Sequence, residues 1–592
     1  MLVLTLTAPR TLPRRATFPP VSVRRDTFVL WSLVGLLAVT LLWPIWMVLR
    51  GAFQDGAGDF TLAHLQDVFR DPLLVQGFGN SFRIAACTTI LATLLAFPLA
   101  TVGARYAFKG KTLLNAFVLA PLILPPFVGA IGLRQVLGRM GALNALLQDI
   151  GLTSGPIDFL GDGGFWSIVA IQSFSLYPII YLNLVAALSN IDPALEEAAR
   201  GVGAGAFTRW RRVTLPMVRG GLFAGATIVF IWSFTELGTP LMFEYRVVTP
   251  VQVFDGLKEL ETSRQPYALT AIMLAIAVSL YLASKYIFGR SAGTQSTKAS
   301  IRREERPLAG WQGIAAAGLF VLVGGLACTP HLGVILSSLA VQGEWYGTVL
   351  PQAWTGHHFT EAVSHPLSAG AIRNSLVLSL LAVVLSMAVG LVIARSLVRG
   401  RGWGKPVLDG LVMLPLAVPG IVMAFGMIAL SMTWPFNSGT LKPYTDILGA
   451  TPNPFPFLVL AYAVRRLPYV VRAAVAGLEQ TPAELEEAGA MCGAKRSMVT
   501  RRIVFPLVAA NLVAGALLAF SFAMLEVSDS ILLAQRESDY PVTKAIYALA
   551  ERLGDGQAIA SALGVWAMAL LAATLLGASL VLGKRLGAVF RA

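Results

Sequence analysis

Five charged residues stand in stretches that are otherwise apolar, and any chemistry this chain performs on a solute has to involve such groups. Glu236, in FTELGTP, and Glu526, in MLEVSDS, occupy matching contexts, and Asp529 follows Glu526 by about one helical turn. Arg465 and Arg466 fall near the middle of another apolar run, with Arg472 beyond them. Charged groups in such surroundings are expensive and face a polar cavity or an opposite charge. Two readings stay open. The groups line a path for a charged solute, the carboxylates favouring a cation and the arginines an anion, or they pair across helices and brace a bundle.

Other chemistries find little support. Cys87, Cys328 and Cys492 are far apart, with neither CxxC nor histidine-paired spacing, so neither a metal site nor a disulfide framework is expected. The pair His357–His358 reads as part of a surface loop outside the apolar runs. Gly110-Lys111-Thr112 has the end of a phosphate loop, but Arg105 stands where that motif has its first glycine. Gly201-Val202-Gly203 followed by Ala206 imitates a dinucleotide fingerprint without a preceding strand. No nucleophile–base pair is present, so no catalytic residue, no metal and no cofactor are expected in this chain.

The elements that must hold these residues are membrane helices. The chain has 592 residues, of which 56% are hydrophobic and only 13% charged, half the usual charged share of a soluble domain. Apolar stretches long enough for a bilayer core recur throughout. Twelve spans are expected, near 27–49, 80–103, 113–137, 165–188, 219–240, 267–288, 310–338, 374–398, 407–432, 456–478, 509–531 and 557–583. The basic N-terminus precedes an apolar run too long for a signal peptide, which reads as a retained first span. Lys and Arg gather in alternate connections, among them Arg105, Lys109 and Lys111, then Arg209, Arg211 and Arg212, then Lys495, Arg501 and Arg502. The other side carries fewer, such as Arg70, Arg139, Arg246 and Lys544. By the positive-inside rule both termini are cytoplasmic. The net charge of +14 is thereby a topology signal, not a nucleic-acid footprint.

A polar segment at 289–309 separates two six-span halves, 1–288 and 310–592. Six is even, so the halves enter from the same side as a parallel repeat. Asn80-Ser81, Pro121, Pro125 and Gly132 correspond to Asn374-Ser375, Pro415, Pro419 and Gly426 at an offset of 294. Pro178, Pro216 and Glu236 correspond to Pro468, Pro506 and Glu526 at an offset of 290. The prolines in spans three and nine predict kinks.

Two loops on the basic side, DPALEEAARGVGAGAFTRWRRVTLPMVRGG (192–221) and PAELEEAGAMCGAKRSMVTRRIVFPLVAAN (482–511), repeat one design. A proline opens a short helix, acidic residues sit in its first turn, and a glycine ends it. These loops resemble the signature of binding-protein-dependent permeases of the ATP-binding-cassette superfamily. The first copy matches at Glu197, Ala198, Ala199, Gly203, Val213, Leu215 and Pro216, and the second at Glu487, Ala488, Gly489, Gly493, Ile503, Phe505 and Pro506. Val213, Gly489 and Phe505 depart from the pattern, and Gly489 in place of alanine predicts a second helix looser by about 1 kcal/mol.

The resemblance implies an all-α, twelve-helix permease of the type I importer kind in a bacterial inner membrane. It further implies that each loop couples to one of two copies of a separate ATPase, which would hold the ATP and Mg. A periplasmic solute-binding protein would deliver cargo. The run Tyr462-Ala-Val-Arg-Arg-Leu-Pro-Tyr469 is similar to the ferric-iron permease group, whose relatives carry thiamine, polyamines or phosphonates. Ferric iron is the first expectation and 2-aminoethylphosphonate or a related organic solute the next. A gradient-driven carrier of two parallel halves is the alternative class, and the paired loops weigh against it.

Overall fold

The computed structural model describes residues 23–122, 125–161, 164–260, 262–293, 305–400, 402–449 and 452–582. Most of the interdomain segment, 294–304, lies outside them. The architecture is all-α, with helical segments at the twelve expected places. Nine helices are by themselves long and apolar enough to cross a membrane, and two bent pairs bring the number to eleven. The remaining segment, Phe455–Glu479, contains Arg465, Arg466 and Arg472.

Spans three and nine are broken, not merely kinked. Lys111–Leu122 meets Pro126–Asp149 at 99°, and Lys405–Ala417 meets Gly420–Ser431 at 103°. The breaks fall at the matched prolines Pro125 and Pro419, which lack the N–H that a continuous helix needs. Spans five and eleven also end sooner than expected. Their helices stop at Phe234 and Met524 and resume as the short helices Gly238–Met242 and Ser528–Leu533.

Small residues decide how the spans cross. At Gly132 an added Cβ would strike the carbonyl oxygen of Pro330, and at Gly426 it would come within 2.6 Å of that of Pro44. Pro330 belongs to the seventh span, Gly310–Leu339, and Pro44 to the second part of the first, Trp43–Phe53. The first span of each half thus packs closely on the third span of the other, and the repeated glycines are the crossing points. The returning end of the interdomain segment is also pinned to the first half. Arg306–Pro307 pairs in parallel with Tyr106–Ala107, and Lys111 Nζ lies 2.7 Å from Glu305.

The repeated Asn-Ser pairs fasten one end of each half. Asn80 donates to the Val247 carbonyl at 3.0 Å and Ser81 Oγ accepts the Thr249 amide at 2.9 Å. Asn374 and Ser375 hold Ser538 and Val542 in the same way, at 2.8 Å each. These contacts start the helices Thr249–Asp255 and Val542–Ala550. On the outer flank of the bundle, large apolar side chains such as Ile90, Leu94, Leu380 and Val384 are exposed, as a lipid-facing surface requires. The histidine pair is not in a loop. It opens the helix His357–Ser364, with His358 buried.

Candidate functional site

Each signature loop is a short helix with a fixed base and an uncovered tip. In the first, the Asp192 carboxylate accepts the Ala194 amide at 2.9 Å and Pro193 begins the helix Pro193–Gly201. Gly203 ends it with φ +80°, its amide donating to Arg200 and that of Ala204 to Ala199. The second helix, Ala483–Met491, ends in the same way at Gly493, with φ +79°. The glycine of the signature is the left-handed residue of a Schellman cap, a place where any Cβ is strained.

The chain then re-enters the bundle through a π-helical turn in both halves, Trp210–Thr214 and Thr500–Val504. The Leu215 amide reaches back five residues to Trp210, and the Phe505 amide to Thr500. The next residues, Pro216 and Pro506, have no N–H to give, so the wider turn is a direct consequence of the Leu-Pro and Phe-Pro positions. Such single turns of π-helix concentrate at functional places.

The acidic pair in each helix divides its work. Glu197, Ala198, Glu487 and Ala488 are exposed, while Ala199 and Gly489 are half-buried against the loop. The preceding glutamates turn inward. Glu196 pairs with Arg105 at 2.6 Å and accepts from Thr214 at 3.1 Å. Glu486 pairs with Arg399 at 2.9 Å and Arg395 at 3.2 Å. Arg105 and Arg399 end or follow the second and eighth spans, so each loop helix is bolted to its own half. Sequence reasoning counted the arginines only as basic-side charges and missed the pairing, although Arg105 and Arg399 keep the 294 offset and Glu196 and Glu486 the 290 offset. In the same loops Leu195, Val202, Phe207, Leu485, Met491 and Met498 are exposed.

The intramembrane charges are brought together in one half only. Glu526 accepts from Arg465 Nη1 at 2.6 Å and from Arg466, and Asp529 lies 3.3 Å from Arg465. Arg466 also donates to the Phe522 carbonyl at 2.9 Å and stacks on the Phe522 ring. Gly420, at the break of span nine, leaves the space that the Arg465 guanidinium fills. In the first half Ser175 and Leu176 stand at the positions of the two arginines. Glu236 accepts from Thr239, at 3.3 Å from its amide and 3.4 Å from its hydroxyl, and has no cationic partner among the described residues. Both glutamates occupy the non-helical breaks of spans five and eleven. A Cβ at Gly238 would lie 3.3 Å from the Glu236 carboxylate and 2.9 Å from the Val527 side chain. Glu236 therefore stands at the interface of the halves, beside the residue that follows Glu526.

The profile of the binding-protein-dependent transport system inner membrane component family matches residues 89–294 and again 375–584. The chain belongs to this family. The ferric transport system permease protein of Actinobacillus pleuropneumoniae is 26% identical, over 90% of this chain and 75% of that protein. An Fe(3+)-transport system permease protein of Haemophilus influenzae is 23% identical, over 87% and 91% of the two chains. The molybdenum transport system permease protein of Mycobacterium tuberculosis is 31% identical over 36% of this chain and 77% of its own length. The permease thus carries the family's domain twice, the two matches beginning within the second and the eighth span.

Proposed function

We propose that this permease is the translocation subunit of an ATP-driven importer, gripping one ATPase copy with helix 193–201 and another with helix 483–491. The observation that carries the reading is the shared build of the two loops. Each has an inward glutamate tied to an arginine of its own half, a glycine cap, and apolar side chains left exposed beyond. A helix fixed at its base transmits a push, and exposed apolar side chains at its tip fit a partner's groove. ATP and Mg belong on that partner, and a periplasmic binding protein presents the cargo. A gradient-driven carrier has no use for two such tips. In this reading the chain sits in a bacterial inner membrane with the loops and both termini cytoplasmic.

Ferric iron is the cargo we favour. The arginines of span ten are satisfied by Glu526 and Asp529, whereas Glu236 is left as an uncompensated acceptor at the half interface. Glu236 is therefore the carboxyl of the centre left to meet a cationic cargo, and two relatives covering most of the chain are named for ferric transport. Phosphonate, polyamine or thiamine import by the same machinery is the alternative.

The test is uptake of radioactive ferric iron by cells carrying the wild-type permease or Gly203→Asp with Gly493→Asp. Loss of uptake and of a co-purifying ABC ATPase, at unchanged permease level, is expected. Wild-type ATPase retention in the double variant would refute the coupling role, and uptake of another solute in preference to iron would refute the cargo.

A further inference from the structure

The helix His357–Ser364 and the start of the last span bring together three metal-ligating side chains separated by nearly two hundred residues. One imidazole nitrogen of His358, a carboxylate oxygen of Glu361 and one of Asp555 all lie within 4.8 Å of one another. His358 and Glu361 share one face of the helix, three residues apart. Asp555 immediately precedes the helix Gly556–Leu582.

The bonding around His358 leaves a lone pair for a ligand. The residue is 5% exposed, and its Nε2 lies 3.1 Å from the Ala340 carbonyl oxygen, which makes Nε2 the protonated nitrogen. Nδ1 is buried without a hydrogen-bond partner, and so is Oε2 of Glu361. That oxygen is 3.5 Å from His357 Nε2, whose side chain is largely exposed. A backbone carbonyl that fixes the tautomer of an imidazole is the arrangement that prepares histidine to bind a metal.

The duplication separates what is structural here from what is not. His64 and Asp67 of the first half occupy the positions of His358 and Glu361, and His64 Nε2 likewise meets a backbone carbonyl, that of Gln54, at 3.3 Å. The histidine–carbonyl link therefore serves both halves as a tie to the end of the first span. The third group differs. At the 290 offset the first half has the neutral amide Gln265 where the second half has Asp555. Only the second half places two carboxylates beside an imidazole lone pair, a cluster whose negative charge calls for a cation.

We infer that His358, Glu361 and Asp555 form a binding site for a divalent first-row transition cation, on the outer side of the second half. One nitrogen and two carboxylate oxygens suit Zn2+, Mn2+ or Fe2+, and the imidazole selects against Mg2+ and Ca2+. Bound there, the cation ties helix 357–364 to the head of the last span. The site is separate from the path and from the coupling loops, so its fate does not depend on which cargo the permease carries.

The experiment uses the full chain in lipid nanodiscs, stripped with chelator and then titrated with Zn2+ alone. Equilibrium dialysis with elemental analysis should give one Zn2+ per chain in the wild type and in His64→Gln. Asp555→Asn and Glu361→Gln should bind at least about 10-fold more weakly. Their melting temperatures in chelator should equal that of the wild type, while Zn2+ should raise only the melting temperature of proteins that keep the site. No zinc above background in the wild type, or equal binding in Asp555→Asn and Glu361→Gln, would overturn the site. Equal losses in His64→Gln and the second-half variants would also overturn it, because the histidine link would then be acting structurally.

Discussion

Ile503 fills the space that a side chain at Gly489 would need: an added Cβ would meet Ile503 Cδ1 at 2.7 Å and a Val499 methyl at 3.2 Å. In the first loop the corresponding pair is Ala199 and Val213. One methyl has moved from the helix to the π-helical turn packed against it. Each loop departs from the signature at one of these two packed positions, Val213 in the first and Gly489 in the second, so Ile503 offsets the looseness expected of the second helix from Gly489 alone.

This relationship predicts a specific rescue. Gly489→Ala should destabilise the permease by about 1–3 kcal/mol through overpacking, despite alanine's better helix propensity. Gly489→Ala with Ile503→Val rebuilds the first loop's pair and should recover most of the loss. A double-mutant cycle on thermal unfolding measures it, with a coupling of at least about 0.5 kcal/mol expected. Additive effects would mean that the two side chains do not meet.

The glutamates of each loop should separate by assay. Glu197→Lys and Glu487→Lys change exposed positions, so assembly in the membrane should be normal while solute-stimulated ATP hydrolysis falls. Because Ile503 compensates for Gly489, the two losses should be similar. Glu196→Gln and Glu486→Gln cut the bolts to Arg105 and to Arg395 and Arg399, and should lower thermal stability as well as coupling. A Glu196→Gln protein as stable as wild type would remove the anchoring role.

The two intramembrane glutamates should also part company. Glu526→Gln leaves Arg465 and Arg466 short of a counter-charge, a loss of about 3–5 kcal/mol for a broken buried pair, and yield should drop accordingly. Glu236→Gln breaks no ion pair, so the protein should assemble normally while uptake per assembled complex falls. Unchanged uptake per complex in Glu236→Gln would exclude that residue from the path.

Lys544 supplies a pH test at the junction of the halves. Its ammonium lies over the rings of Phe254 and Tyr540, at 5.4 and 5.5 Å, and donates to the Ile531 carbonyl at 3.0 Å. Burial lowers its pKa from 10.5 to about 8. Between those values the unfolded chain holds more protons than the folded one, so stability should rise as pH increases from about 8 to 10.5. Thermal unfolding across that range should show the rise in wild type and its absence in Lys544→Met. A rise that survives the substitution would assign it to another group.

The spans, the duplication and the two loops were legible in the sequence because each is a local or periodic property. A bilayer core demands a run of apolar residues, a duplicated gene keeps its register, and a helix start and stop are written in Pro193, Gly203 and Gly493. The intramembrane charges were equally visible, but their meaning was not. Spacing along a chain does not say that Arg465 and Arg466 turn toward Glu526 and Asp529 while Glu236 receives no such partner. Nor does it say that the first span of each half crosses to the other at Pro44 and Pro330, or that the carboxylates sit where their helices break. Those outcomes depend on which faces of separate helices meet, and close packing at Gly132, Gly426 and Gly420 selects them. The meeting of His358 with Asp555 is the extreme case, since only the folded bundle closes a gap of that length.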